Sequence, residues 1–497
     1  MIGAWAGVVG MCAPCPQRVN EYDARMTSRF DGTDPTRSPW SRALTLAWPA
    51  AALQALHLVV NLSDRWLAGN SAAGPSADQI ALQAAQTTCF YLSWMTAAIG
   101  VLASAGASAL VARRIGGDDR DGANAACHQA LLLSLAAGIV GAIVGGGLLD
   151  TLLWALQLDG EAGAYARDYL RVTFLLLPVQ LVGGTAAASL AAAGDTRTPL
   201  WIGVGVMLVN LPLAWIGFRG LGDWPGLGFV GIAWGTGLSQ SLGTIVALSV
   251  LAAGRAGLRL TADGLRTDWP LMARLLRISL PAAAESFSMV AGQMVFLAAV
   301  NGLGDAARAG HGIALGWETV AETLGLAFGV AANVLVGQNL GAGRPDDARR
   351  CGMAAYALGA TGMSLVGAAF YTLAVPLFCF FCPHPEQAAI VEAGVPVLKL
   401  VAFSMPMLAS CHILAAALRG AGDTRFPLLF TAAGFFLVRL PLTAWLTGSV
   451  IRLPTGTIEG WGLGLYGCWL AMQADIWFRG TLFLVRFARG RWQGTRV

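Results

Sequence analysis

Charge is scarce in this chain. Of its 497 residues 12% are Asp, Glu, Lys or Arg, against roughly 25% in an ordinary soluble protein. Lysine is all but missing, with Lys399 the single example. Catalytic signatures are missing too. There is no G-x-S-x-G, no H-E-x-x-H, no P-loop, and no polar stretch large enough for an ATPase domain. These absences exclude a soluble globular enzyme and an ATP-driven pump, so any uphill transport would draw on an ion gradient. A cleavable targeting segment is not expected either. Residues 1–15 hold a short apolar run with no Lys or Arg before it, and Gly10-Met11-Cys12 matches a lipoprotein box only loosely.

What is abundant is apolar surface. The chain is 56% hydrophobic with a mean hydropathy of +0.61, and a soluble protein so composed would aggregate through exposed patches. It reads instead as an all-α membrane protein with about twelve transmembrane stretches of ~20 residues. They fall at 43–67, 80–111, 126–149, 166–192, 199–219, 228–253, 271–300, 312–340, 352–377, 388–418, 427–448 and 463–486.

An octapeptide divides these spans into halves. Ala193-Gly-Asp-Thr-Arg-Thr-Pro-Leu200 returns as Ala421-Gly-Asp-Thr-Arg-Phe-Pro-Leu428, an offset of 228 that also carries Arg171 onto Lys399 and Pro178 onto Pro406. Two six-helix lobes follow, at 41–254 and 271–497. An even helix number makes them parallel repeats about an axis along the membrane normal. Residues 255–270 form a polar, Gly-rich linker, and 1–40 a cytosolic tail. Within each octapeptide, Gly194 or Gly422 suits a left-handed helix end and Thr198 an N-cap. Asp195/Arg197 and Asp423/Arg425 suit local ion pairs across the turn.

The net charge is +4, and the arginines cluster in alternate loops: Arg113, Arg114 and Arg120; Arg255, Arg259 and Arg266; Arg344, Arg349 and Arg350; Arg486, Arg489 and Arg491. By the positive-inside rule both termini are cytoplasmic. These clusters set topology, so no nucleic-acid partner is inferred.

Two motifs are set aside. Gly226-Leu-Gly-Phe-Val-Gly231 and Gly462-Leu-Gly-Leu-Tyr-Gly467 fit the dinucleotide fingerprint, but each opens an apolar helix without a preceding strand, so close helix packing explains them better. The C-x-x-C pairs Cys12/Cys15 and Cys379/Cys382 are read as small hydrophobes rather than metal or redox sites.

Ionisable groups inside spans are costly, at least ~2.5 kcal/mol each on the mildest scale, and so need a partner or a function. Gln54, His57, Asn61 and Asp64 lie along one face of the first span, with Arg65 beside Asp64. Asp64 is read as a carboxylate that binds H⁺ or Na⁺, with a structural salt bridge or helix-end cap as the alternative. Glu285 in the seventh span and His311, Glu318 and Glu322 in the eighth are secondary candidates, open between interhelical hydrogen bonding and transport. Asp150 near the end of the third span and Asp475 in the last are placed closer to the membrane–water interfaces and read as structural, and Lys399 is read as an interfacial anchor.

Asn61-Leu-Ser-Asp64, Ala109-Leu-Val-Ala-Arg-Arg-Ile-Gly116, the two Ala-Gly-Asp-Thr-Arg motifs, Ala309-Gly-His311 with Glu318, and Val336-Gly-Gln-Asn-Leu-Gly-Ala-Gly343 together carry a resemblance. From about Ser41 to Arg491 the chain resembles a prokaryotic member of the multidrug and toxic compound extrusion (MATE) family. The resemblance implies two six-helix lobes around a V-shaped central cavity. It also implies export of varied, often cationic, organic compounds in exchange for inward H⁺ or Na⁺. Asp64 matches the family's first-helix aspartate, and Asn210 and Thr236 match an asparagine and a threonine that assist it. An aspartate expected four residues after Asn210 is replaced by Ala214, which removes one carboxylate and tilts the expectation from Na⁺ toward H⁺.

The reading is therefore an antiporter, a monomer in the bacterial inner membrane, that takes small organic substrates and needs no cofactor beyond its coupling ion. A flippase for lipid-linked substrates and a passive channel are the alternatives. The first would suit extra helices and a strongly basic cavity; the second would show no uphill transport.

Overall fold

In a computed structural model, the described residues are 36–69, 77–155, 160–261, 264, 266–448, 450–453 and 456–495. Among them run twelve long helices. The first six are α1 (Pro39–Gly69), α2 (Ala77–Gly116), α3 (Arg120–Gly147), α4 (Gly160–Ala192), α5 (Arg197–Arg219) and α6 (Phe229–Ala252). The second six are α7 (Trp269–Asn301), α8 (Asp305–Gly341), α9 (Pro345–Thr372), α10 (Pro385–Ala402 continued by Met405–Gly420), α11 (Arg425–Thr447) and α12 (Gly464–Ala488). Each expected span falls on one of them. Ten are long and apolar enough to cross a bilayer, and α10, bent by 64° at its break, makes eleven. The twelfth, α12, is less apolar because Gln473, Asp475 and Arg479 lie mid-helix, where all three are buried inside the protein. One feature has no counterpart in the sequence reading: Val450–Leu453 and Gly456–Glu459 pair as antiparallel strands between α11 and α12.

The octapeptides do end helices as expected, with Gly194 at φ 98° and Gly422 at φ 82°, a region open to glycine for want of a Cβ. Their aspartates do not pair locally. Asp195 accepts from the Thr198 backbone N–H at 3.0 Å and pairs with Arg255 at 3.1 Å; Asp423 pairs with Arg486 at 2.8 Å. Thr198 is thus capped by Asp195 rather than being the cap. Each carboxylate reaches an arginine about 60 residues away, Arg255 just beyond the end of α6 and Arg486 in the last turn of α12. An (i, i+2) pair cannot compete, because Asp and Arg two apart point to different sides of the turn.

The last glycine of each fingerprint packs helices together. A Cβ on Gly231 would collide with Gly217 of α5, and one on Gly467 with the Leu446 carbonyl of α11. The linker is strapped to α3: Asn124 Oδ1 accepts from the Arg259 N–H at 2.7 Å, and His128 Nε2 from the Thr261 N–H at 2.9 Å.

The lobes interlock through α1 and α7. Before Pro49, Ala43, Leu46 and Ala47 of α1 belong to the hydrophobic core of the second lobe. Before Pro281, Leu275 and Ile278 of α7 belong to the core of the first. Beyond each proline the helix rejoins its own lobe, Leu67 in one core and Phe296 and Val300 in the other. Pro-Ala-Ala-Ala at 49–52 recurs at 281–284, so the crossover is itself repeated.

At the basic-loop side α2 and α8 cross with their backbones in contact. A Cβ on Gly116 would strike the Gln338 carbonyl, and one on Gly341 the Arg113 carbonyl. Arg113 and Gln338, like Gly116 and Gly341, are related by an offset of 225, so this seal obeys the pseudo-twofold axis. Gln338 Nε2 adds a hydrogen bond to the Ala192 carbonyl at 3.0 Å.

Candidate functional site

Asp64 lies near the end of α1 opposite that seal. Its side chain is 5% exposed despite its charge, and α6 supplies its hydrogen bond: Thr236 Oγ1 donates to Asp64 Oδ2 at 3.3 Å. Behind it, Asn210 Nδ2 of α5 donates to Thr236 Oγ1 at 3.0 Å and to Ser239 Oγ at 3.4 Å. The close approach of α5 and α6 that brings these groups together depends on Gly235, where a Cβ would collide with the backbone of Ala214. Ala214 is buried in that contact, so the missing carboxylate is replaced by helix packing.

Part of the hydrogen-bonding capacity of this set is unused. Asp64 Oδ1 and Asn210 Oδ1 are buried and have no hydrogen-bond partner among the described residues. No ion pair to Asp64 occurs among the described side chains; that of Arg65 lies outside them. A buried carboxylate without a countercharge is costly unless a cation or proton joins it. The remaining stripe residues are placed differently. Asn61 and His57 are exposed and Gln54 is half-buried, and the side-chain hydrogen bond that Asp64 accepts comes from Thr236 and not from any of these three.

The secondary candidates separate into two kinds. Glu285 is committed: it accepts from Arg419 at 3.0 Å and from Thr431 at 3.2 Å. His311 is buried with both ring nitrogens unpartnered, edge-on to Phe296 and Trp469. Glu318 is buried with Oε1 unpartnered, and Glu322 lies 3.6 Å from His412 Nε2. Elsewhere, Asp150 pairs with Arg167 at 2.6 Å and Lys399 sits over the Tyr371 ring. Cys379 is exposed and Cys382 buried, both as free thiols; Cys12 and Cys15 lie outside the described residues.

A buried cluster in the second lobe escaped the sequence reading. Asp475 is fully buried, not near an interface. It accepts from Arg439 at 2.7 Å and from Arg479 at 2.7 Å, while Arg439 also donates to Gln293 Oε1 at 3.0 Å. The signal was present in the chain. Asn210-Leu-Pro-Leu in α5 reappears as Arg439-Leu-Pro-Leu in α11, at an offset of 229 where the octapeptide just before it has 228. The extra residue is taken up by a π-helical turn at Gly434–Arg439, the form an insertion assumes inside an α-helix.

The MatE family matches residues 49–216 and 281–445, each stretch opening on the proline of Pro-Ala-Ala-Ala. The multidrug resistance protein NorM of Burkholderia vietnamiensis is 30% identical over 458 residues, covering 89% of this chain and 92% of that one. The probable multidrug resistance protein NorM of Thermotoga maritima is 27% identical over 405 residues, 81% and 84% of the two chains. A solved structure of a MOP superfamily transporter from Pyrococcus furiosus superposes with a TM-score of 0.80 at 20% identity, covering 92% of this chain and 96% of that one. Another, an outward-facing multidrug resistance MATE family transporter, gives 0.78 with the same coverage.

Proposed function

The chain belongs to the MATE family of efflux transporters, and from that premise we propose that it is an antiporter exchanging an outbound organic cation for an inbound proton at Asp64. It is a transporter of the multidrug efflux type and an integral membrane protein, not an enzyme. The observation that carries the antiport reading is the Asp64 carboxylate itself: buried, unpaired by any described cation, and joined through Thr236 to Asn210.

When Asp64 is ionised, its charge and the polar groups around it attract a cationic substrate. Protonation from outside cancels that charge and releases the substrate. The lobes then rock about the α1 and α7 crossovers, the seal between α2 and α8 opens, and the proton leaves inward. With the arginine-rich loops in the cytoplasm, both described chain ends are cytoplasmic and this structure is closed toward the cytosol. Proton is favoured over Na⁺ because Ala214 leaves a single carboxylate, few hard oxygen ligands for a dehydrated metal cation. We assign the protein to the bacterial inner membrane as a monomer.

The test is efflux of a cationic dye from vesicles under an imposed pH gradient and, separately, an imposed Na⁺ gradient. A pH gradient alone should drive uphill movement, and Asp64→Asn should abolish it without loss of expression. Wild-type rates in that variant would end the proposal. Movement that never runs uphill would make the protein a channel.

A further inference from the structure

We propose that the segment from Gly490 to Thr495 is a cytoplasmic latch: rooted in the second lobe, it is gripped by Arg113 of the first and holds the transporter closed toward the cytosol. This rests on the reading above in one respect, that the lobes rock and part at the seal between α2 and α8.

The segment is the second lobe's version of the linker. Beyond α6 the chain passes through Gly254 at φ 86°, makes one 3₁₀ turn at Arg255–Gly257 and buries Leu258 in the core of the first lobe. Beyond α12 it passes through Gly490 at φ 69°, makes one 3₁₀ turn at Arg491–Gly494 and buries Trp492 in the core of the second. The Gly-Arg pair thus recurs at an offset of 236. Each segment is then tied to the third helix of its own lobe. The linker is strapped to α3 through Asn124 and His128, and Gln493 Nε2 donates to the carbonyl of Pro345, the first residue of α9, at 3.1 Å.

Trp492 is the root. It is fully buried, its ring is stacked on Phe487 with centroids 4.6 Å apart, and its Nε1 donates to the Phe487 carbonyl at 2.8 Å. The segment therefore travels with the second lobe. From that root it reaches the other lobe: Arg113 Nη1, on α2, donates to the Thr495 carbonyl at 2.9 Å. Arg113 stands in the seal itself, where its own carbonyl faces Gly341 of α8. Its repeat mate Gln338 makes the reciprocal bond, from the second lobe to the Ala192 carbonyl of the first. The lobes cannot part on this side without breaking both. The Arg113 bond is the charge-assisted one, about twice as strong as a neutral bond. Because its acceptor is a backbone carbonyl, the latch depends on the length of the segment and on the Trp492 root, not on the side chain at position 495.

The experiment places the full chain in lipid nanodiscs and reads backbone hydrogen exchange by mass spectrometry at the seal, residues 112–118 and 337–343. Arg113→Met keeps the aliphatic stem and removes the donor. Exchange at the seal should quicken roughly tenfold, the weight of one charge-assisted hydrogen bond at a half-buried site, while the opposite ends of α2 and α8 stay protected. A chain ending at Gln493 keeps the root, loses the acceptor and should match it. The two changes combined should still give roughly tenfold, since each breaks the same contact. The ethidium concentration for half-maximal efflux should fall in both, because more of the protein then faces the cytosol. Unchanged exchange in either variant, effects that multiply in the double variant, or faster exchange along whole helices overturns the proposal. So does a change in half-saturation without one in exchange, which would put Arg113 at the substrate. Exchange is read with no substrate or gradient, so failure of the antiport reading shows separately, as coupled transport surviving in Asp64→Asn.

Discussion

The two lobes are copies in backbone and opposites in charge. In the first, the place where α1, α5 and α6 meet holds one carboxylate, an amide and two hydroxyls, with oxygens left over. In the second, the equivalent meeting of α7, α11 and α12 holds two guanidiniums clasping a carboxylate, with a phenyl ring where the first lobe has its acid. The same scaffold thus supports a buried carboxylate with no described countercharge and one clasped by two guanidiniums. What distinguishes them is pairing: a buried charge that already has its partner is structural, and one that lacks it is available for work.

The contrast can be broken by substitution. The largest effect is expected at Asp64. Asp64→Asn should erase the roughly tenfold accumulation that each pH unit can sustain for one coupled proton, whereas Phe296→Leu at the equivalent position should leave coupling intact. Dye efflux under an imposed pH gradient measures both, and loss of coupling in the Phe296 variant would refute the assignment of roles. Next comes Asp475→Asn, which strands two guanidiniums. Breaking a buried pair costs about 3–5 kcal/mol, so the thermal unfolding temperature in detergent should drop sharply, while Ser239→Ala, which loses two neutral hydrogen bonds, should cost about 1–3 kcal/mol. Smaller again is Thr236→Val. It removes the 3.3 Å bond to Asp64, a loss of about 1 kcal/mol, and should alter the pH profile of efflux. An unchanged profile would take Thr236 out of the site.

The smallest difference lies in the turns that follow the seal helices. Asp119 caps α3, accepting from the Gly122 N–H at 2.8 Å and pairing with Arg114, which holds its carboxyl below the usual range. Its counterpart before α9 is Arg344, followed by Pro345 and without a side-chain cap. Asp119→Ala should cost ~1 kcal/mol, visible as a small drop in melting temperature. Because the folded-state pKa is depressed, this stabilisation is present above the ordinary carboxylate value and fades only as pH falls through the lowered one. The loss should therefore be flat across pH 6–8, and a slope there would mean another group is involved.

Much of the architecture was legible because apolar runs and the repeated octapeptide are local signals. So were the left-handed ends at Gly194 and Gly422, which need only a residue type and a position. The partners of Asp195 and Asp423 were not legible, since Arg255 and Arg486 arrive at the turn only once each lobe has closed. The Asp64, Asn210 and Thr236 constellation was readable through family resemblance, because three helices must pack before those residues touch. Asp475 was misplaced near an interface for a related reason. Its burial is made tolerable by two arginines, one of them brought into line by a π turn that a one-residue slip in the repeat would have revealed.

The crossed docking of α1 and α7 bears on how the molecule is made. As synthesis proceeds, Ala43, Leu46 and Ala47 leave the ribosome more than 200 residues before the core that receives them. An N-terminal half produced alone would keep that end of α1 unseated and would also lack Leu275 and Ile278 in its own interior. Neither half is a finished object, so maturation of the first must wait for translation of the second, and a chain cut at the linker should regain activity only when both pieces are made in the same cell.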